Sequence, residues 1–191
     1  MANPWAKEEL KLPDNTSIYS YDRAKEVFEE IEPTRITVSD AVLMLLYSQR
    51  DKPINGRVSM MKQIFLLVNE VLKGIDTQDP KYVKNRFGMY SFLVTETLSN
   101  LEFAQYINRE GKKNTKNERF QITERGMKHV APLYSSLPKE VQATISEKRK
   151  GWDQLGYEGI LRYVYHRYPK YRDKSVLKKR YAPIFWGRGK G

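Results

Sequence analysis

The apolar positions of the chain recur mostly at helical spacing. Apolar side chains three and four positions apart predict a helix wherever the spacing persists over two or more turns. Six stretches show this pattern: 39–47, 60–72, 91–101, 123–137, 138–149 and 157–168. A shorter, peripheral helix is predicted over residues 22–31. The stretch 60–72 is the clearest of them, and its Met60 and Met61 are expected to lie in the core.

Capping residues and helix breakers predict the helix ends. Ser39, Ser91 and Thr123 each precede an apolar run, and a hydroxyl group there can accept a hydrogen bond from an amide of the first turn. Pro132 is expected to kink its helix or end it early, because proline removes a backbone donor. Gly151 is expected to separate the last two helices.

Two short segments favour β-structure instead. Residues 104–108 and 118–123 contain β-forming residues, and the basic stretch 109–117 separates them. This arrangement predicts a hairpin with a basic tip. Residues 1–20 carry prolines and aromatic residues and are expected to form an extended arm.

The order helix, helix, helix, strand, basic loop, strand, helix predicts the fold class. It is the order of a winged helix-turn-helix, so we expect a mainly α fold with a small β-hairpin: a winged helix-turn-helix core with extra C-terminal helices. We expect an N-terminal arm and short helix at residues 1–37 and the winged-helix core at residues 38–137. The C-terminal helices follow at residues 138–169, and a basic aromatic tail at residues 170–191.

Three short stretches resemble the small winged-helix proteins related to the SocA antitoxin, the Panacea-domain family. Residues 62–67 resemble its helix with a lysine before hydrophobic residues, and residues 121–126 its Leu-Thr-x-x-Gly helix start. Residues 86–91 resemble its aromatic-Gly-Pro-Tyr-Ser turn, with Met89 in place of the proline. The resemblance spans roughly residues 40–170. It implies a winged-helix fold and an antitoxin-like role, and it identifies no toxin partner.

Residues that share the buried stripes of consecutive elements predict the core. These residues are Leu43, Leu46, Ile64, Phe65, Val68, Leu98, Leu101, Ile122 and Val130.

Charge points to a polyanionic partner. The chain has 34 Lys and Arg against 23 Asp and Glu, a formal net charge of +11, and such an excess attracts nucleic acid. No stretch approaches the ~18 consecutive apolar residues of a membrane span, and charge rather than a signal-peptide core follows the first residues. The absence of cysteine excludes disulfides and thiolate sites. We therefore expect a cytoplasmic protein with no membrane association.

Three groups of side chains are candidates for nucleic-acid contact. Long cations on a hairpin tip can neutralise phosphates, and hydroxyl and amide groups on a helix can reach base edges. Cations interleaved with aromatic residues suit phosphate bonding combined with base stacking. The hairpin provides Arg109, Lys112, Lys113, Lys116 and Arg119; the third helix provides Thr95, Ser99 and Asn100; the tail provides Lys170, Arg172, Lys174, Lys178, Lys179 and Arg180.

The tail concentrates the charge of the chain. From Arg167 to the end, nine Lys or Arg stand against one Asp. The alternative interpretation of the tail is that its aromatic residues pack on the domain or on a partner subunit, and that of the hairpin is a solvated loop.

Catalytic and metal chemistry have little support in the sequence. His129 and His166 lie apart on predicted helices without a ligand-spaced neighbour. We expect no enzyme activity, no metal and no cofactor.

The preferred hypothesis is a DNA-binding transcriptional regulator or antitoxin-like repressor, with the third helix in the major groove and the hairpin on the backbone. An RNA-binding or ribosome-associated factor and a protein-interaction adaptor remain open, as do a homodimer and a protein partner. DNA is preferred to RNA.

Overall fold

The computed structural model describes residues 9–11, 17–19, 35–85, 88–113, 115 and 117–171. The chain divides into two compact units, Met1–Arg35 and Ile36–Gly191. In the first unit, β1 (Glu9–Lys11) pairs antiparallel with β2 (Ser17–Tyr19), with Leu10 opposite Ile18. The predicted helix over 22–31 lies outside the described residues.

The second unit is mainly helical. Its five described helices are α1 (Val38–Tyr47), α2 (Arg57–Leu66), α3 (Phe92–Phe103), α4 (Glu124–Ser136) and α5 (Lys139–Arg167). A π-helical turn, Leu67–Val71, extends α2, and a 3₁₀ turn, Pro169–Tyr171, follows α5.

Small antiparallel sheets complete this unit. Strands β3 (Ile54–Asn55), β6 (Ile107–Glu110) and β7 (Arg119–Ile122) form one sheet in the order β3-β7-β6. Strands β4 (Val83–Asn85) and β5 (Gly88–Tyr90) form a separate hairpin, which the sequence analysis did not predict. The mainly α class with a small β-hairpin is confirmed at this level.

Helix α1 lies at the centre of the unit. Every residue from Ala41 to Leu46 is at most 1% exposed, and α1 packs against each of the other four helices and against β7. A helix that is apolar on every side is stable only when fully covered. Those four helices and β7 therefore cover α1.

The N-cap of α1 is Thr37, so the prediction of Ser39 was wrong. The Thr37 hydroxyl accepts from the Asp40 amide at 3.1 Å, and the Asp40 carboxylate accepts from the Thr37 amide at 2.9 Å. This reciprocal capping box pairs two amides at once. Ser39 is the second residue of the helix. Ser91 and Thr123 do cap α3 and α4, accepting from the amides of Val94 and Gly126 at 3.0 Å.

Neither Pro132 nor Gly151 ends its helix. Pro132 lies inside α4, which continues to Ser136. Gly151 lies inside α5, and the change of direction comes later, at Gly156, with φ 62° and ψ −172°. The prediction of a break at Gly151 was therefore wrong in position.

The predicted core is confirmed with one adjustment. Eight of its nine residues are at most 5% exposed, and Val68 is half-buried against the same cluster. Met60 and Met61 are buried as expected. No helix among the described residues is long and apolar enough to span a bilayer.

Gly126 provides a direct test of the packing between α4 and the sheet. A Cβ at this position would lie 2.1 Å from the Tyr106 carbonyl oxygen and 2.9 Å from Ile122 Cγ1. Gly126→Ala should therefore lower the free energy of unfolding by about 2 kcal/mol or more, because backbone must move. Urea denaturation followed by circular dichroism measures this change.

Gly151→Ala is the matched control. A Cβ added at this exposed helical position would have nothing within 4 Å, so alanine should stabilise the protein by up to ~1 kcal/mol. Equal effects of the two substitutions would contradict the packing described here.

Candidate nucleic-acid interface and a buried polar cleft

Strands β6 and β7 pair antiparallel, and residues 111–118 connect them, so the predicted hairpin is present. Ile107 pairs with Ile122 and Glu110 with Arg119. Ile107, Phe120 and Ile122 are at most 5% exposed, while alternate residues face outward. The period-two pattern of the strands thus fixes which side of the hairpin packs on α1 and α3.

The turn of the hairpin begins at a glycine. Gly111 has φ +78°, and a Cβ there would lie 2.1 Å from the Asn117 carbonyl oxygen, so a larger residue would be strained. The Thr115 hydroxyl donates to the Lys112 carbonyl at 2.6 Å. Lys112 and Lys113 are exposed, whereas Lys116 lies outside the described part of the chain.

A buried carboxylate lies at the end of the hairpin loop, immediately before β7. The Glu118 side chain is 0% exposed, and its Oε1 lies 2.8 Å from Arg57 Nη2 and 3.8 Å from Arg109 Nη1. Arg109 Nη2 also lies 2.8 Å from Glu102 Oε2. Arg109 is thus engaged in ion pairs that join the hairpin to α3, and it is not positioned as a tip cation.

Arg119 has a different environment from Arg109. It is exposed on the outer face of β7, and the structure shows no ion pair for Arg119, Lys112 or Lys113 with any described residue. Three of the five predicted hairpin cations are therefore accessible to an external anion.

Most of the α3 side chains predicted to contact nucleic acid are already hydrogen-bonded within the protein. The Thr95 hydroxyl lies 2.8 Å from the Tyr90 hydroxyl and 3.1 Å from the Ser91 carbonyl oxygen. The Ser99 hydroxyl donates to the Thr95 carbonyl at 3.3 Å. Asn100 alone of the three is exposed.

An exposed stripe on α3 was missed by sequence reasoning. Phe92 is 69% exposed and Phe103 is 91% exposed. They lie eleven positions apart, which is about three turns, so both occupy one side of the helix with Glu96 between them. Because the two rings bracket the predicted polar face, they could have been recognised from the spacing alone.

Little of the predicted tail falls within the described residues. Lys170 is exposed, with its Nζ 4.9 Å from the Tyr171 ring centroid. Arg172, Lys174, Lys178, Lys179 and Arg180 lie outside the described residues.

A cleft of about 990 Å³ opens between the start of α2 and the bend of α5. Several buried polar side chains lie around it, which the sequence analysis did not assign. Gln63 Nε2 donates to Asp153 Oδ1 at 2.8 Å, and Asp153 Oδ2 lies 2.7 Å from Arg149 Nη1. Burial raises the pKa of Asp153, and the neighbouring Arg149 opposes that rise.

Lys62 is the most unusual of these residues. It is 1% exposed, and its ammonium nitrogen donates to the Met89 carbonyl oxygen at 2.7 Å. Burial lowers the pKa of Lys62 to about 7, because desolvation disfavours the charged form. Polar residues interrupting the apolar pattern at 62 and 63 were the available sequence signal.

The histidines show no sign of a metal centre. Both are exposed, and the His129 ring stacks on Tyr106 with centroids 4.6 Å apart. Across the described ranges, no three His, Cys, Asp or Glu side chains come together in a metal-binding group.

Lys62 makes stability depend on pH. In the unfolded chain its pKa returns to about 10.5, so between pH ~7 and ~10 the unfolded state binds a proton that the folded state lacks. The free energy of unfolding should then rise with pH, by up to ~1.4 kcal/mol per unit from this residue. The comparison is wild type against Lys62→Met, by urea denaturation between pH ~7.5 and ~9. Parallel pH dependences would show that Lys62 is charged when folded.

Comparison with protein-family models finds no match to this chain. Comparison with curated proteins finds no match either.

Proposed function

We propose that the chain is a winged-helix protein that binds nucleic acid through its basic hairpin. The order α1, β3, α2, α3, β6, β7 and the sheet order β3-β7-β6 support the winged-helix assignment. The resemblance to SocA and Panacea-domain proteins is part of the same proposal. Such a role needs no enzyme activity and would be exercised in the cytoplasm.

The accessibility of the hairpin cations carries this proposal. Lys112, Lys113 and Arg119 are exposed, and their charges are not used in ion pairs with the described part of the protein. Glu118, at the end of the hairpin loop, holds that loop in place through Arg57 and Arg109. Cations on an anchored hairpin can meet phosphates and release counterions without first breaking an internal contact.

The same geometry favours backbone contact over base reading. Helix α3 has no Lys or Arg, its Glu96 would repel phosphates, and two of its three candidate polar groups bond internally. Phosphate contacts position a protein on a duplex but carry no direct sequence information. We therefore propose weakly sequence-specific binding, with duplex DNA ahead of RNA as the partner.

A second candidate function, association with another protein, is favoured by the exposed stripe of α3. Large exposed apolar side chains flanked by polar residues are typical of protein interfaces. A second copy of the chain is the simplest partner, because an antiparallel pairing with Phe92 opposite Phe103 also sets Glu96 opposite Ser99. In that pairing neither glutamate of α3 stands opposite the other, because Glu102 is set opposite Leu93.

Neutralising the hairpin should weaken binding in a salt-dependent way. The variant Lys112→Gln, Lys113→Gln, Arg119→Gln removes up to three phosphate contacts. Each lost contact should reduce the slope of log affinity against log salt by about 0.9 on duplex DNA. Fluorescence anisotropy from ~50 to ~200 mM salt, on a duplex and on an RNA hairpin, measures both affinity and slope.

The matched control neutralises three exposed lysines of α5, Lys139, Lys148 and Lys150, and so makes the same change in net charge. It should alter the slope much less. If the wild-type chain binds neither ligand at ~50 mM salt, the nucleic-acid proposal is wrong. If the two triple variants have equal effects, the hairpin is not the binding site. A chain ending at Tyr171 measures what the tail adds.

The protein-association candidate is tested by solution mass. If α3 pairs with a second copy, Phe103→Ser should raise the dimer dissociation constant at least tenfold, because a nearly fully exposed ring would lose its buried partner. Leu155→Ser, at a residue 42% exposed on α5, is the control. A wild-type chain that sediments as a monomer at ~100 µM would exclude a second copy as the partner.

A further inference from the structure

Three side chains form a stack at the ends of β6 and β7 that are remote from the hairpin loop. The His129 ring lies on the Tyr106 ring, with centroids 4.6 Å apart and planes inclined by 15°. Arg125 Cζ lies 5.2 Å from the centroid of the same tyrosine ring. Tyr106 immediately precedes β6, and Arg125 and His129 are about one turn apart on α4. These three residues are called the Tyr106 stack.

The backbone holds the stack in a fixed position. The Thr123 amide donates to the Tyr106 carbonyl oxygen at 3.0 Å, and the Thr123 hydroxyl donates to the same oxygen at 3.1 Å. Gly126 lets α4 approach this carbonyl closely, since a Cβ at that position would lie 2.1 Å from the oxygen. A ring on a fixed support loses little conformational entropy when a ligand binds to it.

Part of the stack remains open to solvent. Tyr106 is half-buried and covers one face of the His129 ring, yet His129 is exposed. The ring surface that Tyr106 does not cover is therefore available to a ligand. A planar ring supported from behind and open in front is suited to stacking with a nucleic-acid base, because every base has a π-face.

Cations adjoin the open ring. Arg125 and Lys128 are exposed, and neither forms an ion pair with a described residue. Glu124 is the only acidic residue of α4, so the two cations outnumber it. Proteins that bind single-stranded nucleic acid combine such rings with cations, since the ring takes a base while the cations take the phosphates beside it.

The distance from the stack to the hairpin loop matches a short length of nucleic acid. Tyr106 and Gly111 are five residues apart along β6, which is about 17 Å at ~3.4 Å per residue. Successive charges of one DNA strand are also ~3.4 Å apart in a duplex, so the distance corresponds to about five nucleotides. Bases inside a duplex are stacked on both faces, and only an unpaired base can offer a face to a ring.

We propose that the Tyr106 stack binds an unpaired nucleotide that continues one strand of a duplex held at the hairpin cations. The base lies on the open surface of the His129 ring, and the flanking phosphates lie at Arg125 and Lys128. The preferred ligand is then a duplex with a single-stranded extension rather than a blunt duplex. This inference rests on the proposed nucleic-acid function and specifies the kind of nucleic acid.

Fluorescence anisotropy on the full chain compares a blunt duplex of ~16 base pairs with the same duplex carrying ~6 unpaired adenines at its 3′ or its 5′ end. One of the two extended duplexes should bind at least ~5-fold more tightly, the lower end of what stacking of one base contributes. Equal affinity for the blunt and extended duplexes would overturn the inference and leave the hairpin proposal standing. Binding to none of them would overturn both.

The test variant is His129→Glu. Glutamate removes the ring and repels phosphate, whereas alanine would uncover the Tyr106 ring for a base; glutamate is also a good helix former, so the variant should fold. The preference for the extended duplex should disappear. His166→Glu is the matched control, because His166 is the other histidine of the chain and is also exposed on a helix, and it should keep the preference.

The hairpin triple variant separates the two sites. It should weaken binding to the blunt and extended duplexes alike and keep the preference, because the Tyr106 stack is intact. If His129→Glu and His166→Glu have the same effect on the preference, the extension binds elsewhere and the inference is wrong.

A measurement on the wild-type chain covers the case in which His129→Glu does not fold. The chain has two histidines, so aromatic ¹H–¹³C spectra contain two sets of histidine ring signals, which His166→Glu assigns. The extended duplex should move the His129 signals upfield through the ring current of the stacked base, and the blunt duplex should not. Unchanged His129 signals, or equal shifts of both histidines, would overturn the inference.

Discussion

The complete burial of α1 is the constraint on which the rest of the second unit depends. A ten-residue helix whose central residues are at most 1% exposed cannot face water on any side, so four helices and a strand must surround it. At ~25 cal/mol per Å² of apolar surface, this burial is the main stabilising term available. The hairpin cations and the polar residues of the cleft lie in the surrounding elements. Each of these elements packs on α1 with one face and has another face turned away from it.

Glu118 connects two of the surrounding elements, α2 and the β6–β7 hairpin. Its carboxylate pairs with Arg57 at the start of α2 and with Arg109 on the hairpin, while its carbonyl accepts from the Gly56 amide. A buried carboxylate that lost one cation would leave an imperfectly compensated charge, which is strongly destabilising. The hairpin and the mouth of the cleft are therefore held in one arrangement, and Lys112 and Lys113 remain at the surface.

Local signals predicted the fold better than the site. Ser91 and Thr123 cap as expected because a cap depends on residues three positions away. Ser39 failed because Thr37 has the same chemistry and also a reciprocal partner in Asp40. The partners of Lys62 and Gln63 are 27 and 90 positions distant, so the interruption of the apolar pattern marks these two residues but does not identify their partners. The two ion-pair partners of Arg109 are only seven and nine positions away, but they lie in α3 and in the hairpin loop, so the periodicity of a single element does not indicate them.

The dependence of α1 on α5 has a consequence for synthesis. Gln49, just after α1, bonds to Ser146 across 97 positions of the chain, and the buried residues Ile145, Trp152 and Ile160 all belong to α5. At roughly 5–20 residues per second, about 5–20 seconds separate the emergence of the two helices from a ribosome. During that interval the most apolar helix of the nascent chain lacks part of its cover, which makes it a natural binding segment for chaperones that recognise exposed hydrophobic stretches.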